Sequence, residues 1–544
     1  MPLSIGLVTL NAKFIHSSLS LRYLRNAARN AGYKNVWVRE YIINQPTWKL
    51  AAGILEQRPD VLGVSIYIWN RAQSFELIDR LKKQDPSLSI VVGGPEVSFD
   101  PLSDDYILIS GEGEKKWVEF LEYQKLGETP PPEALERWSS FGTDLPDLIT
   151  AYDEEDLPEL QNRIAYLETS RGCPYLCSFC LSALDQTVRY FDDEAVRRQI
   201  KLLIDGGTRQ IKFIDRTFNL KPGRMAEWIG WLSRFEGVSF HFEVVGDLLT
   251  PELMDCLDSV PKGMFQFEIG IQTTQDEPQR LIQRKQDNEK LFATVKRLVR
   301  KNRVHIHSDL IFGLPGENLE QSLQSFTEVC RLRPHELQLG FLKFLPGAPI
   351  RKLIDSHEYR FQSGPPYEIL SSRDLSAAEV IYLKKFTDVF DQFYNSKKFR
   401  FSIDTLLKSK SPVKIFDRLL EAIESKCLLL QSLNLDERYR IFFTAFDVEQ
   451  SPVMLDTLKL DYLYAQRIYR IPNFLTNGSS PPLPRQKTWK GDGKTPMVAF
   501  NHEIREAEDG VELTPSPEPR YYAIVHPDDD SGYLRRPAIK AVHP

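Results

Sequence analysis

The sequence predicts an α/β protein: a doubly wound parallel sheet, then a partial (β/α)6 TIM-like barrel and a mainly α-helical C-terminal region. Three observations predict it. Short apolar runs alternate with amphipathic stretches over residues 1–124. A second alternating block, of about six strand–helix units, spans residues 163–346. Over residues 347–472 the strand-like runs give way to apolar residues at helical spacing. Alternation of this kind builds parallel sheets, because each parallel crossover needs a helix to bring the chain back.

In the first block the strand candidates are Ser4–Leu10, Asn35–Arg39, Val61–Tyr67, Ser89–Val92 and Tyr106–Ile109. Such short, nearly continuous apolar runs fit strands buried on both faces. Ser20–Ala31, Trp48–Gln57 and Gln73–Lys83 lie between them and carry the helical spacing. Loop-forming residues follow the strands: Asn11–Ser18, Ile68–Arg71, Gly93-Gly94-Pro95-Glu96 and Gly111-Glu112-Gly113-Glu114. In doubly wound folds ligands bind beyond the carboxyl ends of the strands. A glycine pair taken singly reads as a tight turn; four such loops on one face point to a small-molecule site.

Residues 125–162 read as an interdomain linker, with Pro130-Pro131-Pro132 and the acidic run Asp153-Glu154-Glu155-Asp156. In the second block the strand candidates are Ala165–Ser170, Gln210–Ile214, Ser239–Val245, Phe265–Ile271, His305–Phe312 and Glu336–Leu342. Helical stretches separate them, among them Glu194–Ile204, Arg224–Phe235, Asn288–Val299 and Leu319–Leu332. In a barrel of this kind the functional loops follow the strands. Ala377–Tyr394 and Val413–Leu429 carry the helical pattern further on. Residues 473–544 are rich in Pro, Gly, Ser and charge, as in Ser479-Ser480-Pro481-Pro482, and predict a poorly ordered tail. Tyr521–Val525 is its one strand candidate.

Composition narrows the function. The 544 residues have a formal net charge of −6, which disfavours a role held mainly through nucleic-acid phosphates. Six cysteines are too few for a disulfide scaffold at this length. Met1–Val8 runs into a strand-like segment with no basic region followed by an apolar one, and no apolar run reaches the ~18 residues that cross a bilayer. The expectation is a cytoplasmic chain with reduced thiols and no membrane span.

The cysteines are placed unevenly. None precedes Cys173; three stand at Cys173, Cys177 and Cys180, just after the first barrel strand candidate. Three thiolates so close can wrap one face of a compact multi-iron cluster. Structural zinc usually takes four protein ligands, and no fourth cysteine is near. A disulfide is disfavoured by the odd number, and inert buried thiols remain the bland alternative. The leading reading is a [4Fe–4S] cluster with three cysteine ligands and one open iron, free to take an exogenous ligand.

Here the chain resembles a known family. Cys173-x3-Cys177-x2-Cys180, with Phe179 before the last cysteine, is similar to the signature of radical S-adenosylmethionine (SAM) enzymes. The likeness extends to Asp215-Arg216-Thr217-Phe218, to Glu268-Ile269-Gly270-Ile271-Gln272, to the run from Asp309 to Glu317 and to Phe341–Gly347. The first block, with Gly93-Gly94-Pro95 and Gly111-Glu112-Gly113-Glu114, resembles the cobalamin-binding domain of the subgroup that pairs such a barrel with a corrinoid. Pro365-Pro366-Tyr367-Glu368 resembles an extension in a subgroup of unassigned reaction.

The resemblance implies a [4Fe–4S] cluster on Cys173, Cys177 and Cys180, with SAM on the open iron. One electron, from a donor such as flavodoxin or ferredoxin, would cleave SAM to a 5′-deoxyadenosyl radical. Phe179, Asp215, Glu243, Gln272 and Gly313 would contact SAM. Asn11, Ser65, Gly93, Gly94, Pro95, Gly111, Glu112 and Gly113 would contact cobalamin. Methylation of an unactivated carbon of an unknown substrate is the leading outcome; the alternatives are non-methylating chemistry such as cyclisation, and a non-enzymatic iron–sulfur sensor or adaptor.

Other corrinoid domains carry Asp-x-His-x-x-Gly; here Phe14 and Leu19 flank His16 instead, leaving it a cobalt ligand or a loop residue beside a helix cap. A domain that has lost its cofactor also fits that departure. No cysteine precedes Cys173, which argues against a methylthiotransferase, and the lone Cys256, Cys330 and Cys427 form no second motif, which argues against auxiliary clusters.

Overall fold

A computed structural model describes residues 3–142, 150–428, 433–465, 471–476, 497–507, 510–526 and 537–542. The first domain holds a five-stranded parallel sheet of β1 (Ile5–Asn11), β2 (Val36–Ile42), β3 (Val61–Ser65), β4 (Ser89–Gly93) and β5 (Ile107–Ile109). Its order is β2-β1-β3-β4-β5. The order reverses between β1 and β3, and that switch point opens a crevice at the carboxyl ends. Both faces are covered, which is why β1 is buried along its whole length. Helices α2 (Thr47–Leu55) and α3 (Arg71–Gln84) place Leu50, Ile54, Leu77 and Leu81 on one face. On the other face α1 (Leu19–Asn30), α4 (Glu114–Leu126) and α5 (Pro132–Ser139) place Leu21, Trp117, Phe120 and Trp138.

The expected linker is built into the fold. Pro132 starts α5, where a missing N–H costs nothing, and Trp138 is fully buried. The acidic run is no spacer. Asp153 and Asp156 form a capping box ahead of α6 (Leu157–Leu160), and the run faces three arginines on one side of α1. Arg22 Nε lies 3.1 Å from Asp156, Arg25 Nη2 2.8 Å from Asp156, and Arg29 Nη1 2.5 Å from Glu155. Arg22 also reaches Glu40 at 2.6 Å, with both side chains 1% exposed.

Next, β6 (Ile164–Leu167) leads into a hairpin of β7 (Ser170–Arg171) and β8 (Arg189–Tyr190) that carries the cysteine loop. Strands β9 (Gln210–Phe213), β10 (Ser239–Val244), β11 (Phe265–Gln272), β12 (His305–Phe312) and β13 (Glu336–Phe341) join β6 in one parallel sheet, in chain order. Around it run α7 (Asp193–Asp205), α8 (Pro222–Leu232), α9 (Pro251–Leu257), α10 (Asp276–Leu281), α11 (Asn288–Lys301) and α12 (Leu319–Arg331). Period-two alternation sends Phe240, Phe242, Phe265 and Phe267 into the outer core, and leaves His241, Glu243, Gln266 and Glu268 for the interior.

The barrel is open between β6 and β13. Residues from elsewhere finish its two edges. Ile15 accepts from the amide of Ile164 at 2.8 Å, and His16 bridges to the same residue. At β13 the Asn395 amide both donates to and accepts from the backbone of Leu337.

The C-terminal region opens with β14 (Arg360–Phe361) and β15 (Ile369–Ser371), then packs α13 (Ala377–Phe390), α14 (Arg400–Leu407), α15 (Pro412–Glu424), α16 (Leu435–Ala445) and α17 (Pro452–Ala465). Phe326 of α12 meets Phe386, Phe390 and Phe416 edge-on, so the helices share the barrel's outer core. The expected tail contains more order than its composition predicts. Strands β16 (Met497–Ala507), β17 (Gly510–Val525) and β18 (Ala538–Val542) form an antiparallel sheet. Val498, Phe500, Ile504 and Tyr522 pack it onto Phe401, Leu460 and Leu463. Pro515, Pro517 and Pro519 lie in the part of β17 that β18 does not reach, where prolines do least harm to a ladder. Ser479–Pro482 lies outside the described residues. Among the described residues no helix is long and apolar enough to cross a membrane.

Candidate functional site

The cysteine loop is held in a fixed path. Gly172 has φ +87, and a Cβ on it would meet the Thr187 carbonyl at 2.2 Å, so only glycine can take the chain into the loop. The Cys173 amide donates to the Asp185 carbonyl at 2.8 Å and that of Cys180 to Cys177 at 3.0 Å. Ser178 is tied from both sides, its amide to Ile282 at 2.9 Å and its carbonyl to the Ile350 amide at 2.7 Å.

All three thiols line one cavity of about 180 Å³ at the carboxyl ends of the barrel strands. Its other walls include Phe179, Thr217, Glu243, Glu268, Gln272, Arg284 and Asp309. Among the described residues no three His, Cys, Asp or Glu side chains converge tightly enough for a single metal ion. Three thiols lining one cavity can serve as the ligand set of a multi-iron cluster. Burial pushes the Cys173 and Cys177 thiols up, so a bound cation is needed to hold them as thiolates.

The opposite wall is shaped by an irregularity in β11. Its register with β12 shifts between Gly270 and Gln272, and Gln272 stands at φ +68. Such bulges re-aim side chains beside functional sites. Here the shift frees the Gly270 carbonyl to accept from Arg284, whose Nε donates to Gln286 at 2.9 Å and whose Nη1 lies 3.8 Å from Cys177 Sγ. Gln272 Oε1 is buried without a hydrogen-bond partner, and it lies in the cavity wall. A buried, unpaired acceptor there fits a ligand that donates to it.

Charge in the wall is graded. Burial lifts Glu243 to about 7. Burial acts on Glu268 too, but the hydrogen bond from His241 at 2.9 Å, with Lys212 at 3.3 Å, holds it down at about 2. Asp309 is raised by burial. His307 Nε2 lies 3.2 Å from its Oδ1, but the two are too poorly aligned to satisfy either atom.

Of the SAM contacts expected from sequence, Phe179, Glu243 and Gln272 line the cavity. Asp215 and Gly313 do not. Asp215 is fully enclosed and accepts from the Thr169 amide, the Thr169 hydroxyl and Ser170, which ties β9 to the strand before the cysteine loop. Gly313, at φ +87, passes under Ile369, and its carbonyl accepts from Tyr359. Arg284 and Thr217 are wall residues that the sequence reading missed. An arginine twelve residues beyond Gln272 was the available signal for the first.

The expected corrinoid residues all stand at the carboxyl ends of the first sheet, but several are committed to the fold. Asn11 donates to Glu40 at 2.6 Å and to the His16 carbonyl at 2.9 Å. Ser65, at the end of β3, gives its carbonyl to Thr9 at 2.8 Å. Gly93, Gly94 and Pro95 turn tightly after β4; Gly94 has φ +110, and a Cβ there would strike the Ile66 carbonyl at 2.4 Å. Gly111, φ +72, passes equally close to the Gly142 carbonyl. Gly113 caps α4. Glu112 pairs with Arg189 at 2.7 Å, and Glu114 with Arg171 at 2.7 Å, next to the cysteine loop. His16 Nδ1 lies 2.8 Å from the Tyr166 hydroxyl, in the joint with the barrel. Around these ends Phe14, Trp69 and Phe99 are exposed, and Trp69 stacks flat on Tyr67 at 4.6 Å. An exposed aromatic rim at a switch point fits a large, flat, partly apolar ligand such as a corrin.

Comparison with known proteins agrees with this division. Residues 5–121 match the B12 binding domain, residues 167–327 the radical SAM superfamily, and residues 355–490 a family described as protein of unknown function (DUF4080). The cobalamin-dependent radical SAM methyltransferase TokK of Streptomyces tokunonensis is 25% identical over 362 residues, 59% of this chain and 52% of TokK. The 2-(S-pantetheinyl)-carbapenam-3-carboxylate methyltransferase of Streptantibioticus cattleyicolor is 24% identical over 341 residues, 56% of this chain and 49% of that protein. This chain thus spans about half the length of these curated relatives. The structure of the cobalamin-dependent SAM radical enzyme OxsB, with aqua-cobalamin and SAM bound, superposes with a TM-score of 0.58 at 15% identity, covering 84% of this chain and 80% of that one. TsrM from Kitasatospora setae, with cobalamin and a [4Fe–4S] cluster bound, gives 0.54 at 15% identity, with 68% and 78% covered. The chain thus carries a match to the B12 binding domain ahead of a match to the radical SAM superfamily, the arrangement of the cobalamin-dependent radical SAM proteins it is similar to.

Proposed function

We propose that this chain is a cobalamin-dependent radical SAM methyltransferase acting on an unactivated carbon. One observation carries the reading: Cys173, Cys177 and Cys180 share a single cavity with the unpaired Gln272 acceptor, in a chain whose preceding domain has an aromatic-rimmed switch point. When bound, the [4Fe–4S] cluster with SAM would supply a carbon-centred radical, and cobalamin a transferable methyl group.

The chain's own residues do the positioning. The three cysteines would hold the cluster and leave one iron open. Gln272 offers an acceptor, while Glu243, Arg284 and Asp309 offer charge and hydrogen bonds from the cavity wall. Glu243, lifted to about 7, can hold a proton at neutral pH and so donate as well as accept. Phe179 and Val244 give the wall apolar area, which helps keep water from a reactive radical. The electron would come from a small reductant such as flavodoxin or ferredoxin. A reducing compartment, the cytoplasm, suits the free thiols.

The test is anaerobic reconstitution with iron, sulfide and hydroxocobalamin, followed by SAM and dithionite. We expect one four-iron cluster, bound corrinoid and release of 5′-deoxyadenosine. Cys177→Ala is expected to lose the cluster and that release. A full cluster in the variant would overturn the ligand assignment, and absent corrinoid at saturation would point to non-methylating chemistry.

A further inference from the structure

The extension after β13 touches the loop after β4 at two places. At the first, Tyr367 donates its hydroxyl to Glu96 Oε1. Both groups are buried, Tyr367 being 5% and Glu96 3% exposed. Arg71 of α3 completes the group: it lies 3.7 Å from Glu96 Oε1, donates to the Glu96 carbonyl at 3.0 Å and reaches Asp100 at 2.8 Å. At the second, Phe99 of the same loop lies on Gly347. A Cβ at Gly347, which has φ +79, would meet the Phe99 ring at 2.2 Å.

The extension is stiff where it makes these contacts. The Phe344 amide donates to the Tyr367 carbonyl at 2.9 Å, and the Ile369 amide to Leu342 at 3.0 Å. Glu368 bridges to Lys343 and pairs with Lys384. Phe344 stacks on Phe361 at 4.6 Å. Tyr367 itself stands at φ +58, a left-handed conformation that a residue with a Cβ adopts only at a cost. Strain of this kind persists where surrounding contacts fix it, and it clusters at positions that matter for function. Here the strained backbone delivers the hydroxyl to a carboxylate in another domain.

We propose that residues 343–371 form a strap that fixes the loop after β4 against the barrel, and that Tyr367 is a positioning residue for the corrinoid. The proposal rests on the reading above, in which that loop contacts cobalamin. The start of the segment 355–490 thereby registers one cofactor domain on the other.

The test uses the full chain with its cluster reconstituted, as parent, Tyr367→Phe, Glu96→Ala and the double variant. Hydroxocobalamin binding is titrated by absorbance, and hydrogen exchange is followed in the peptide spanning residues 93–100. In Tyr367→Phe that peptide exchanges faster and the corrinoid Kd rises roughly ten-fold, the size expected for one hydrogen bond to a charged group. Iron content stays at the parent's value, and the melting temperature falls by only a few degrees, as for one lost hydrogen bond. The double variant binds no more weakly than the weaker single one, because both remove one interaction. A corrinoid Kd within two-fold of the parent in Tyr367→Phe overturns the proposal, as do losses that add in the double variant. A larger fall in melting temperature with matching losses of iron and corrinoid also overturns it, since Tyr367 would then only brace the fold. Failure of the parent to bind hydroxocobalamin overturns the proposed function and the strap's corrinoid role together; the exchange rates then still decide whether the strap holds the loop.

Discussion

At the residue scale the molecule carries carboxyls whose charge the fold resists. Glu317 is 1% exposed and accepts from Thr273 at 2.7 Å and Ser325 at 3.1 Å. Burial pushes it up to about 7 against those two bonds. The folded chain therefore keeps a proton that the unfolded chain gives up above the ordinary value of 4.5. Stability is unaffected below that value and falls as pH rises towards about 7. Glu317→Gln removes the slope: in urea unfolding it stays close to the parent near pH 5 and exceeds it at pH 8 by on the order of 3 kcal/mol. Parallel curves for the two proteins would refute this. Which residues could be read from sequence follows from how local their chemistry is. Cys173, Cys177 and Cys180 fall within one turn of chain, so their spacing alone carries the metal reading. Asp215 sits in an equally plausible place, yet it accepts three hydrogen bonds from Thr169 and Ser170, and only the folded partners reveal that. Arg284 stands at a spacing from Gln272 that says little by itself; the shifted register at Gly270 gives it a purpose.

At the element scale the alternating blocks were legible because the central strands β1 and β3 are apolar and buried along their length, the barrel strands β11 and β12 bury every second residue, and the helices between them bury one face. The first sheet's strands start within a residue or so of where the apolar runs begin. The acidic run was misread because a charge cluster looks the same whether it faces water or arginines spaced along a helix. The C-terminal sheet was missed for a similar reason. Its apolar residues alternate correctly, but prolines and charges interrupt the pattern, and their tolerance depends on which stretch of β17 lacks a second neighbour. The α1 arginines bear a prediction. Arg22 holds Glu40 and Asp156 where none of the three meets solvent. Arg22→Met leaves two carboxylates buried with too few partners and is expected to cost about 3–5 kcal/mol in chemical denaturation. A loss below about 1 kcal/mol would show that Arg25 and Arg163 suffice as partners.

For the whole molecule, the two cofactor-type domains are joined at three of the loops expected to hold the corrinoid. The loop after β1 meets Ile164 and Tyr166, the loop after β4 meets the strap, and the loop after β5 meets Arg171 and Arg189. Such joints do not show in periodicity, since each pairs residues far apart in the chain. A barrel expressed alone as residues 163–346 lacks the chain that finishes its outer strands. It is expected to elute from size exclusion as aggregates, while the full chain does not. A monodisperse, cooperatively melting fragment would contradict this.

The finished edges of the barrel also bear on how the chain assembles during synthesis. The residues that complete β6 precede it, so that side can be sealed as soon as β6 emerges. Asn395, which completes β13, arrives more than fifty residues after that strand. Between those two moments the nascent sheet is closed on one flank and sticky on the other. Slow elongation through the early C-terminal helices would lengthen that exposure, and there a chaperone would have most to protect.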